Sequence, residues 1–161
     1  CPAVEHVVAL DALDAARGVE TDVAYLDPPY NQHSYLGNYH IWETLVRWDE
    51  PETYGVAAKR VDCKTRSSAF NLKRQARAAL ERVVDAVQAR LMIVSFSDEG
   101  FLDRATLEAM LSRRGPVRVV SVEAKRYLGA RIGIYNPKGE KVGAVGKLKN
   151  HELLYVVRCE R

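Results

Sequence analysis

Residues 27–30, Asp-Pro-Pro-Tyr, place a carboxylate, two consecutive prolines and an aromatic ring directly after a short apolar run. Each proline fixes its own φ, lacks an N–H donor and keeps the residue before it extended. The carboxylate of Asp27 and the carbonyl group of Pro28 are thus held close together as two hydrogen-bond acceptors. We expect this pair to accept both hydrogens of one –NH2 group.

The motif also suggests what would happen to that amine. The lone pair of an exocyclic amine on a nucleobase is delocalised into the ring. Two acceptors favour a more tetrahedral nitrogen, whose lone pair can attack an electrophile without any Ser or Cys nucleophile. The ring of Tyr30 offers a stacking face for a base removed from its helix, worth about 1–3 kcal/mol. The alternative is a rigid turn with a surface carboxylate and a packed tyrosine.

Alternating strands and helices surround this motif. Apolar runs predict strands at 5–10, 22–27, 90–97, 117–124 and 151–157, and helical spacing predicts helices at 40–48, from Ser67 or Ser68 to Val87, and from Asp103 to a stop at Gly115. This order predicts an α/β fold, an open sheet with at least one antiparallel strand near an edge. Ligands of such sheets bind beyond the carboxyl ends of the strands, where Asp11, Asp27 and Ser95 fall.

The size and composition of the chain limit the possible classes of protein. Its 161 residues, 47% apolar and 28% charged, predict one globular domain over residues 1–161. No apolar run approaches the roughly 18–20 residues of a membrane span, and no signal peptide is recognisable, so we expect a cytoplasmic protein. The three cysteines are widely spaced and form no Cys-x-x-Cys pair, which predicts neither a disulfide framework nor a thiolate metal site.

Charge is distributed unevenly along the chain. Residues 113–161 contain 12 Lys plus Arg against 4 Asp plus Glu, whereas residues 1–112 contain 12 against 17. The carboxyl-terminal region is therefore basic. Such a region is either a solvated face or a surface that binds phosphates.

The motif and its surroundings resemble a known family. "DVAYLDPPYN" resembles the catalytic motif of S-adenosylmethionine-dependent amino-methyltransferases, in the Asp-led form typical of DNA adenine methylases that act at N6. "HSYLGNYHIWETL", "SSAFNLKRQARAAL" and "IVSFSDEGFL" are similar to successive segments of the Dam-like branch. "KRYLGARIGIYNPKGEKVG" and "NHELLYVV" resemble the closing hairpin and final strand of related site-specific methylases. The resemblance covers most of residues 5–157.

The resemblance implies a fold and an activity. The expected fold is part of a class I, Rossmann-like methyltransferase sheet, mixed with an antiparallel carboxyl-terminal hairpin. The expected activity is transfer of a methyl group from S-adenosylmethionine to N6 of a flipped adenine in double-stranded DNA, in a restriction-modification setting.

The resemblance also implies that part of the enzyme lies elsewhere. The family's glycine-rich F-x-G-x-G turn and its ribose-binding acidic residue lie upstream of the stretch corresponding to residues 5–11, and neither is in this sequence. We therefore expect residues 1–161 to be the carboxyl-terminal part of a catalytic domain, incomplete alone, with the missing amino-terminal part as a partner.

Roles for the motif residues follow from the same resemblance. Asp27 and the Pro28 carbonyl hold the adenine amine, and with Pro29 and Tyr30 they form the catalytic motif, in which Tyr30 stacks on the flipped base. Asp27 also belongs to the cofactor site. Asp11 occupies the position of an acidic residue near the adenine end of the cofactor.

Other residues are candidates for contact with nucleic acid, each with a structural alternative. Phe96 borders the base pocket or belongs to the core, Tyr39 lines the pocket or packs, and His40 contacts a phosphate or caps a helix. Four basic residues of the carboxyl-terminal region either contact backbone phosphates or belong to a solubilising surface. They are Lys125, Arg126, Arg131 and Lys138.

Two other functions stay open at this point. The chain could belong to a methyltransferase that acts on another exocyclic amine, cytosine N4 or guanine N2 of ribosomal RNA. It could also be a non-catalytic nucleic-acid-binding subunit, in which the basic region binds and the motif is inert.

Overall fold

A computed structural model describes residues 6–125, 140, 143 and 149–160. The elements in chain order are α1 Ala12–Gly18, β1 Glu20–Leu26, α2 Tyr35–Arg47, β2 Thr53–Tyr54, β3 Lys59–Arg60, α3 Lys73–Ala86, β4 Gln88–Ser97, α4 Arg104–Leu111, β5 Val117–Lys125 and β6 Lys149–Arg158. Short 3₁₀ helices occupy Val61–Lys64, Ala69–Asn71 and Ser112–Arg114. No helix within these described ranges is long and apolar enough to cross a membrane.

The main sheet has four strands in the order β1-β4-β6-β5. β1 pairs with β4 in parallel, and β6 pairs antiparallel with both β4 and β5. The fold is therefore mixed α/β with a mixed sheet, and its antiparallel strand lies next to an edge, as the sequence predicts. The connection between β5 and β6, with the turn expected at Pro137 and Gly139, lies outside the described residues.

One face of this sheet carries the hydrophobic core. Alternate residues of the strands meet helical residues spaced by three or four, which is the pattern that predicts these elements. The largest completely buried apolar side chains of this core are Leu80, Val84, Met92, Val94, Leu107, Leu111, Tyr155 and Val157. Helices α3 and α4 thereby fix β4 and β6, and the carboxyl end of β4 leads to the candidate site.

The opposite face of the sheet is more exposed. Val23 and Tyr25 of β1 are 50% and 59% exposed, and Val122 of β5 is 49% exposed. β1 has β4 as its one partner among the described strands, so its other edge is unpaired. An apolar sheet face and a strand edge are therefore left uncovered by the part of the chain that the structure describes.

The strand predicted at 5–10 is wrong for the described residues. Residues 6–10 form neither helix nor strand, and Val7, Val8 and Leu10 are exposed. A strand needs a neighbour to satisfy its backbone hydrogen bonds, and no described strand pairs with this segment. An apolar run in the sequence is therefore not sufficient to predict a strand.

Two helix starts differ from the predictions because of their caps. α2 begins earlier than expected, since the Ser34 hydroxyl accepts a hydrogen bond from the Gly37 N–H at 3.0 Å. α3 begins later, because Ser68 caps the 3₁₀ helix Ala69–Asn71 instead. The start predicted for α4 at Asp103 is confirmed, and the Asp103 carboxylate accepts from the Thr106 N–H at 2.8 Å. α4 ends at Leu111, and a 3₁₀ helix, Ser112–Arg114, leads to the predicted stop at Gly115.

Candidate active site

The Asp27–Tyr30 motif begins where β1 ends, at the carboxyl end of the sheet. Asp27 is exposed, and no described residue donates a hydrogen bond to its carboxylate. Pro28 and Pro29 are half-buried. The carboxylate is thus available to a ligand, while the prolines fix the backbone that carries it.

Tyr30 packs on the core side of the site. Its ring meets Phe96 edge to face, with ring centroids 6.0 Å apart and an interplanar angle of 62°. Its carbonyl group accepts a hydrogen bond from the Phe101 N–H at 2.8 Å. Burial, and then the nearby charge of Glu152, raise the pKa of Tyr30, so its ring stays a neutral surface. Phe96 is 3% exposed: it is a core residue that also supports Tyr30.

The segment after Tyr30 is held by side-chain amides. The Asn31 side-chain oxygen accepts from the His33 N–H at 2.9 Å. The Asn71 side-chain nitrogen donates to the carbonyl groups of Asn31 and His33, at 2.8 and 3.1 Å. The motif is therefore connected to the segment that precedes α3 as well as to the loop that follows β4.

Strand β6 supports the loop after β4. Ser97 is 1% exposed, and its hydroxyl accepts from the Asn150 side-chain nitrogen at 3.4 Å. The same nitrogen donates to Glu152 at 2.8 Å, and the Asp98 carboxylate accepts from the His151 N–H at 3.1 Å. Burial raises the pKa of Glu152 despite the hydrogen bond from Asn150. These contacts attach the loop after β4 to β6.

A cavity of about 380 Å³ lies beside the motif and is lined by both Asp11 and Asp27. One Asp11 oxygen accepts from the Leu13 N–H at 2.9 Å and caps α1, which leaves the other oxygen for a ligand. Leu10 and Phe70 supply apolar walls. The structure thus brings together the two aspartates that the sequence singled out.

The prediction of site residues missed Phe70. It lies in the 3₁₀ helix directly before α3 and lines the cavity beside the motif. An aromatic residue within the polar segment 64–71 was the available signal. A larger cavity, of about 770 Å³, lies at the opposite ends of β1 and β4 between charged residues of both signs, and is separate from this site.

Helix α2 places two tyrosines near the motif. The ring centroids of Tyr35 and Tyr39 are 6.3 Å apart, and the residues are 51% and 56% exposed. Burial, and then the charge of Asp27, raise the pKa of Tyr35. His40 lies on the inner side of α2 and is 8% exposed. A phosphate contact by His40 is therefore not supported, because the ring is covered.

Helix α2 is held against β3 by a buried arginine, Arg60. Arg60 of β3 pairs with both oxygens of Asp49, at 2.5 and 2.8 Å, and its Nε lies 3.2 Å from Asp62. Arg60 also donates to the Thr44 hydroxyl at 3.0 Å. These contacts lower the pKa of both carboxyl groups and attach α2 to β3 and the 3₁₀ helix after it.

The predicted phosphate-contacting residues fall at or beyond the limit of the described residues. Lys125 is the last residue of β5, and its backbone is paired with Lys149. Arg126, Arg131 and Lys138 lie outside the described residues. Among the described residues, no group of three or more His, Cys, Asp or Glu side chains could hold a metal ion.

Comparison with protein-family models identifies the family. Residues 6–110 match the model of the D12 class of N6 adenine-specific DNA methyltransferases. The chain belongs to this family. The D12 match includes α1, β1 with its Asp27–Tyr30 motif, β4 and most of α4, so it covers the motif and the residues that line the cavity beside it.

Curated relatives of this D12 chain are type II methyltransferases and modification methylases by name. The chain is 33% identical over 105 residues to the type II methyltransferase M.FokI of Planomicrobium okeanokoites, covering 65% of this chain and 16% of that protein. It is 30% identical over 124 residues to the modification methylase LlaI of Lactococcus lactis subsp. lactis, covering 77% and 20%.

A viral relative completes the comparison. The chain is 31% identical over 110 residues to the type II methyltransferase M.CviAII of Paramecium bursaria Chlorella virus 1, covering 68% of this chain and 32% of that protein. The chain therefore spans at most about a third of the length of these three relatives. No solved structure gives a significant match to the chain.

Proposed function

We propose that the protein transfers a methyl group from S-adenosylmethionine to the exocyclic N6 amine of a flipped adenine in double-stranded DNA. The observation that carries this proposal is the exposed, unengaged Asp27 carboxylate, followed by two prolines at the carboxyl end of β1 in a D12 chain. The names of the relatives favour a modification methylase of a restriction system.

The residues of the motif divide the work of the transfer. S-adenosylmethionine, when bound, supplies an electrophilic methyl group. The Asp27 carboxylate and the Pro28 carbonyl accept the two N–H groups of the adenine amine and direct its lone pair outward. Pro29 keeps the backbone extended, and Tyr30, supported by Phe96, stacks on the extruded base.

The cavity beside the motif fits one end of the proposed cofactor. Asp11 has a carboxylate oxygen to accept a hydrogen bond from an adenine amine, and Leu10 and Phe70 offer apolar walls to a flat ring. Asp27 lies at the same cavity, so a single carboxylate borders both the cofactor and the target base. The glycine-rich turn would have to come from outside residues 1–161.

DNA is the proposed partner in a cytoplasmic enzyme. Tyr39 is exposed next to Tyr35 on α2, a position that suits contact with nucleic acid. Basic residues of the carboxyl-terminal region would contact backbone phosphates. They are Lys125, Arg126, Arg131 and Lys138.

We further propose that residues 1–161 form one domain, the carboxyl-terminal part of a class I, Rossmann-like catalytic domain. The missing amino-terminal part would complete it. The unpaired edge of β1 and the exposed Val23 and Tyr25 support this proposal, because a completed sheet would cover them. The small share of each relative that the chain spans also supports it.

Substitution of Asp27 tests the proposed function. In the complete enzyme, Asp27→Ala should lower the rate of methyl transfer at least about 10²-fold, since an aligned acceptor of the transition state is lost. The fold should change by no more than about 0.5 kcal/mol, because the side chain is exposed and unpaired. The assay follows labelled methyl groups from S-adenosylmethionine into duplex DNA and identifies the modified nucleoside by mass spectrometry.

The control substitution is Asp22→Ala, which removes an exposed carboxylate from the same strand. It should leave the transfer rate near that of the wild type, and both variants should bind DNA within a few-fold of it. Undiminished transfer by Asp27→Ala would remove Asp27 from the mechanism. Methylated cytosine N4 or RNA guanine N2 would establish the rival substrate, and DNA binding without methylation would establish a binding subunit.

A further inference from the structure

Asn71 makes two hydrogen bonds across a long separation in sequence to the segment that follows the motif. Its side-chain nitrogen donates to the Asn31 carbonyl at 2.8 Å and to the His33 carbonyl at 3.1 Å. Asn31 directly follows Tyr30, so the contact begins one residue after the motif. A single side chain thus holds two carbonyl groups of the segment between the motif and α2.

The chemistry of this contact restricts which side chains could make it. A primary amide carries two N–H hydrogens on one planar nitrogen, and each can point at a different carbonyl group. Serine and threonine have one such hydrogen, and an ionised aspartate has none. An aspartate at position 71 would in addition place a negative charge against the negative ends of two carbonyl dipoles.

The Asn71 contact complements the support of Tyr30 from the other side. The Tyr30 carbonyl accepts from the Phe101 N–H at 2.8 Å, and its ring lies on Phe96. The prolines restrain the backbone before Tyr30. Among the described contacts, residues 31–33 would otherwise have only the local hydrogen bond from the His33 N–H to the Asn31 side chain, which joins residues two apart and does not hold the segment against another element. Without Asn71 this local bond is therefore free to open with the segment.

We propose that Asn71 is a positioning residue for methyl transfer. It holds the segment after the motif so that Tyr30 and the Asp27 carboxylate meet the target base in one fixed geometry. This inference rests on the proposed function, and it adds a residue that contacts neither base nor cofactor. A displacement of about 1 Å at a reacting group can cost about 10²-fold in rate, which sets the scale of the expected effect.

The test compares Asn71→Asp and Asn71→Gln with the wild type in the complete enzyme. Asn71→Asp keeps the shape of the side chain and loses both donors, so single-turnover methyl transfer at saturating DNA and S-adenosylmethionine should fall about 10- to 100-fold. The dissociation constant for S-adenosylmethionine should stay within about 2-fold, because Asn71 is not among the residues that line the cavity. Asn71→Gln keeps both hydrogens and should restore part of the rate.

The matched control is Asn38→Asp, the same chemical change at an exposed position of α2, which should leave the transfer rate unchanged. Hydrogen exchange gives a readout that does not depend on activity. In the substrate-free enzyme, the amides of His33 and Phe101 should exchange at least about 10-fold faster in Asn71→Asp than in the wild type, because both bonds depend on a fixed loop.

The outcomes separate this inference from the proposed function. If the wild type methylates adenine while Asn71→Asp keeps its rate and its amide protection, Asn71 has no positioning role. If Asn71→Asp loses thermal stability while its rate at a temperature well below unfolding is unchanged, the residue is structural and the inference fails. If the wild type methylates no adenine, the proposed function fails, and exchange at His33 and Phe101 still decides whether Asn71 holds the loop.

Discussion

Gly100 offers a sharp test of how the site is supported, because one methyl group there should disturb both packing and chemistry. An ideal Cβ at Gly100 would overlap Cε1 of Phe96 and would lie 3.0 Å from Cδ1 and 3.1 Å from Cζ of that ring. Gly100 does not have the positive φ found at Gly55 and Gly115. The penalty for Gly100→Ala therefore comes from the ring and not from the backbone conformation.

The size of the effect follows from these contacts. Carbon atoms pack best at about 3.5–4.0 Å, so the edge of the Phe96 ring must retreat by roughly 1.3–1.8 Å. Phe96 is 3% exposed and cannot turn away into solvent, so we expect Gly100→Ala to lower the free energy of unfolding by about 1–3 kcal/mol. Because Tyr30 rests on this ring, methyl transfer should also slow by up to about 100-fold.

A double-mutant cycle identifies the cause. Phe96→Leu removes Cε1, which an alanine at position 100 would overlap, and Cζ. The double variant should therefore be less destabilised than the sum of the single variants, by about 0.5–3 kcal/mol. Free energies come from urea unfolding, and rates from single-turnover transfer of labelled methyl groups. Gly18→Ala is the control, since a Cβ there meets nothing within 4 Å. Strict additivity, or a Gly100→Ala enzyme as fast as the wild type, would refute this reasoning.

Two further predictions concern pH. Burial raises the pKa of Glu152 above its ordinary value, so its contribution to stability is present below that value and is lost as pH rises through the folded-state pKa. Glu152→Gln is neutral at every pH, so its unfolding temperature should depend less on pH than that of the wild type between about pH 4 and pH 8. The same dependence in both proteins would show that Glu152 does not contribute to it. Arg60 lowers the pKa of Asp49 and Asp62, so that their contribution is present above their ordinary values and lost as pH falls through the lowered ones. Arg60→Met should therefore flatten the acid limb of a circular-dichroism titration; an equally steep limb would contradict this.

The sequence predicted the elements whose packing partners or caps lie within the described residues. The strands at 22–27 and 90–97 correspond to β1 and β4, because alternate residues of both face the core. Met92, Val94 and Phe96 of β4 are buried in it, and Ala24 and Leu26 of β1 pack against it. The start of α4 at Asp103 was predictable because capping depends on adjacent residues alone. The segment 5–10 has a strand-like composition, yet its conformation depends on a partner strand that the described residues do not supply.

The candidate site was predictable to a similar extent. Asp11 and Asp27 follow apolar runs, and the structure places them at one cavity. The covered position of His40 was not predictable, because it depends on which side of α2 faces the body of the protein. The contacts of Asn71 with Asn31 and His33 join residues about 40 positions apart, and no local pattern in the sequence indicates them.

The position of β6 has a consequence for how the molecule is built. Among the described elements β6 is the last to be synthesised, yet it is paired with strands on both sides. Until residues 149–158 have left the ribosome, β5 has no partner among the described strands, and the loop that supports Tyr30 lacks Asn150 and Glu152. Folding of the sheet is therefore expected to wait for a late, long-range contact, which is intrinsically slow. A nascent chain stopped before β6 would carry the complete motif on an unfinished support.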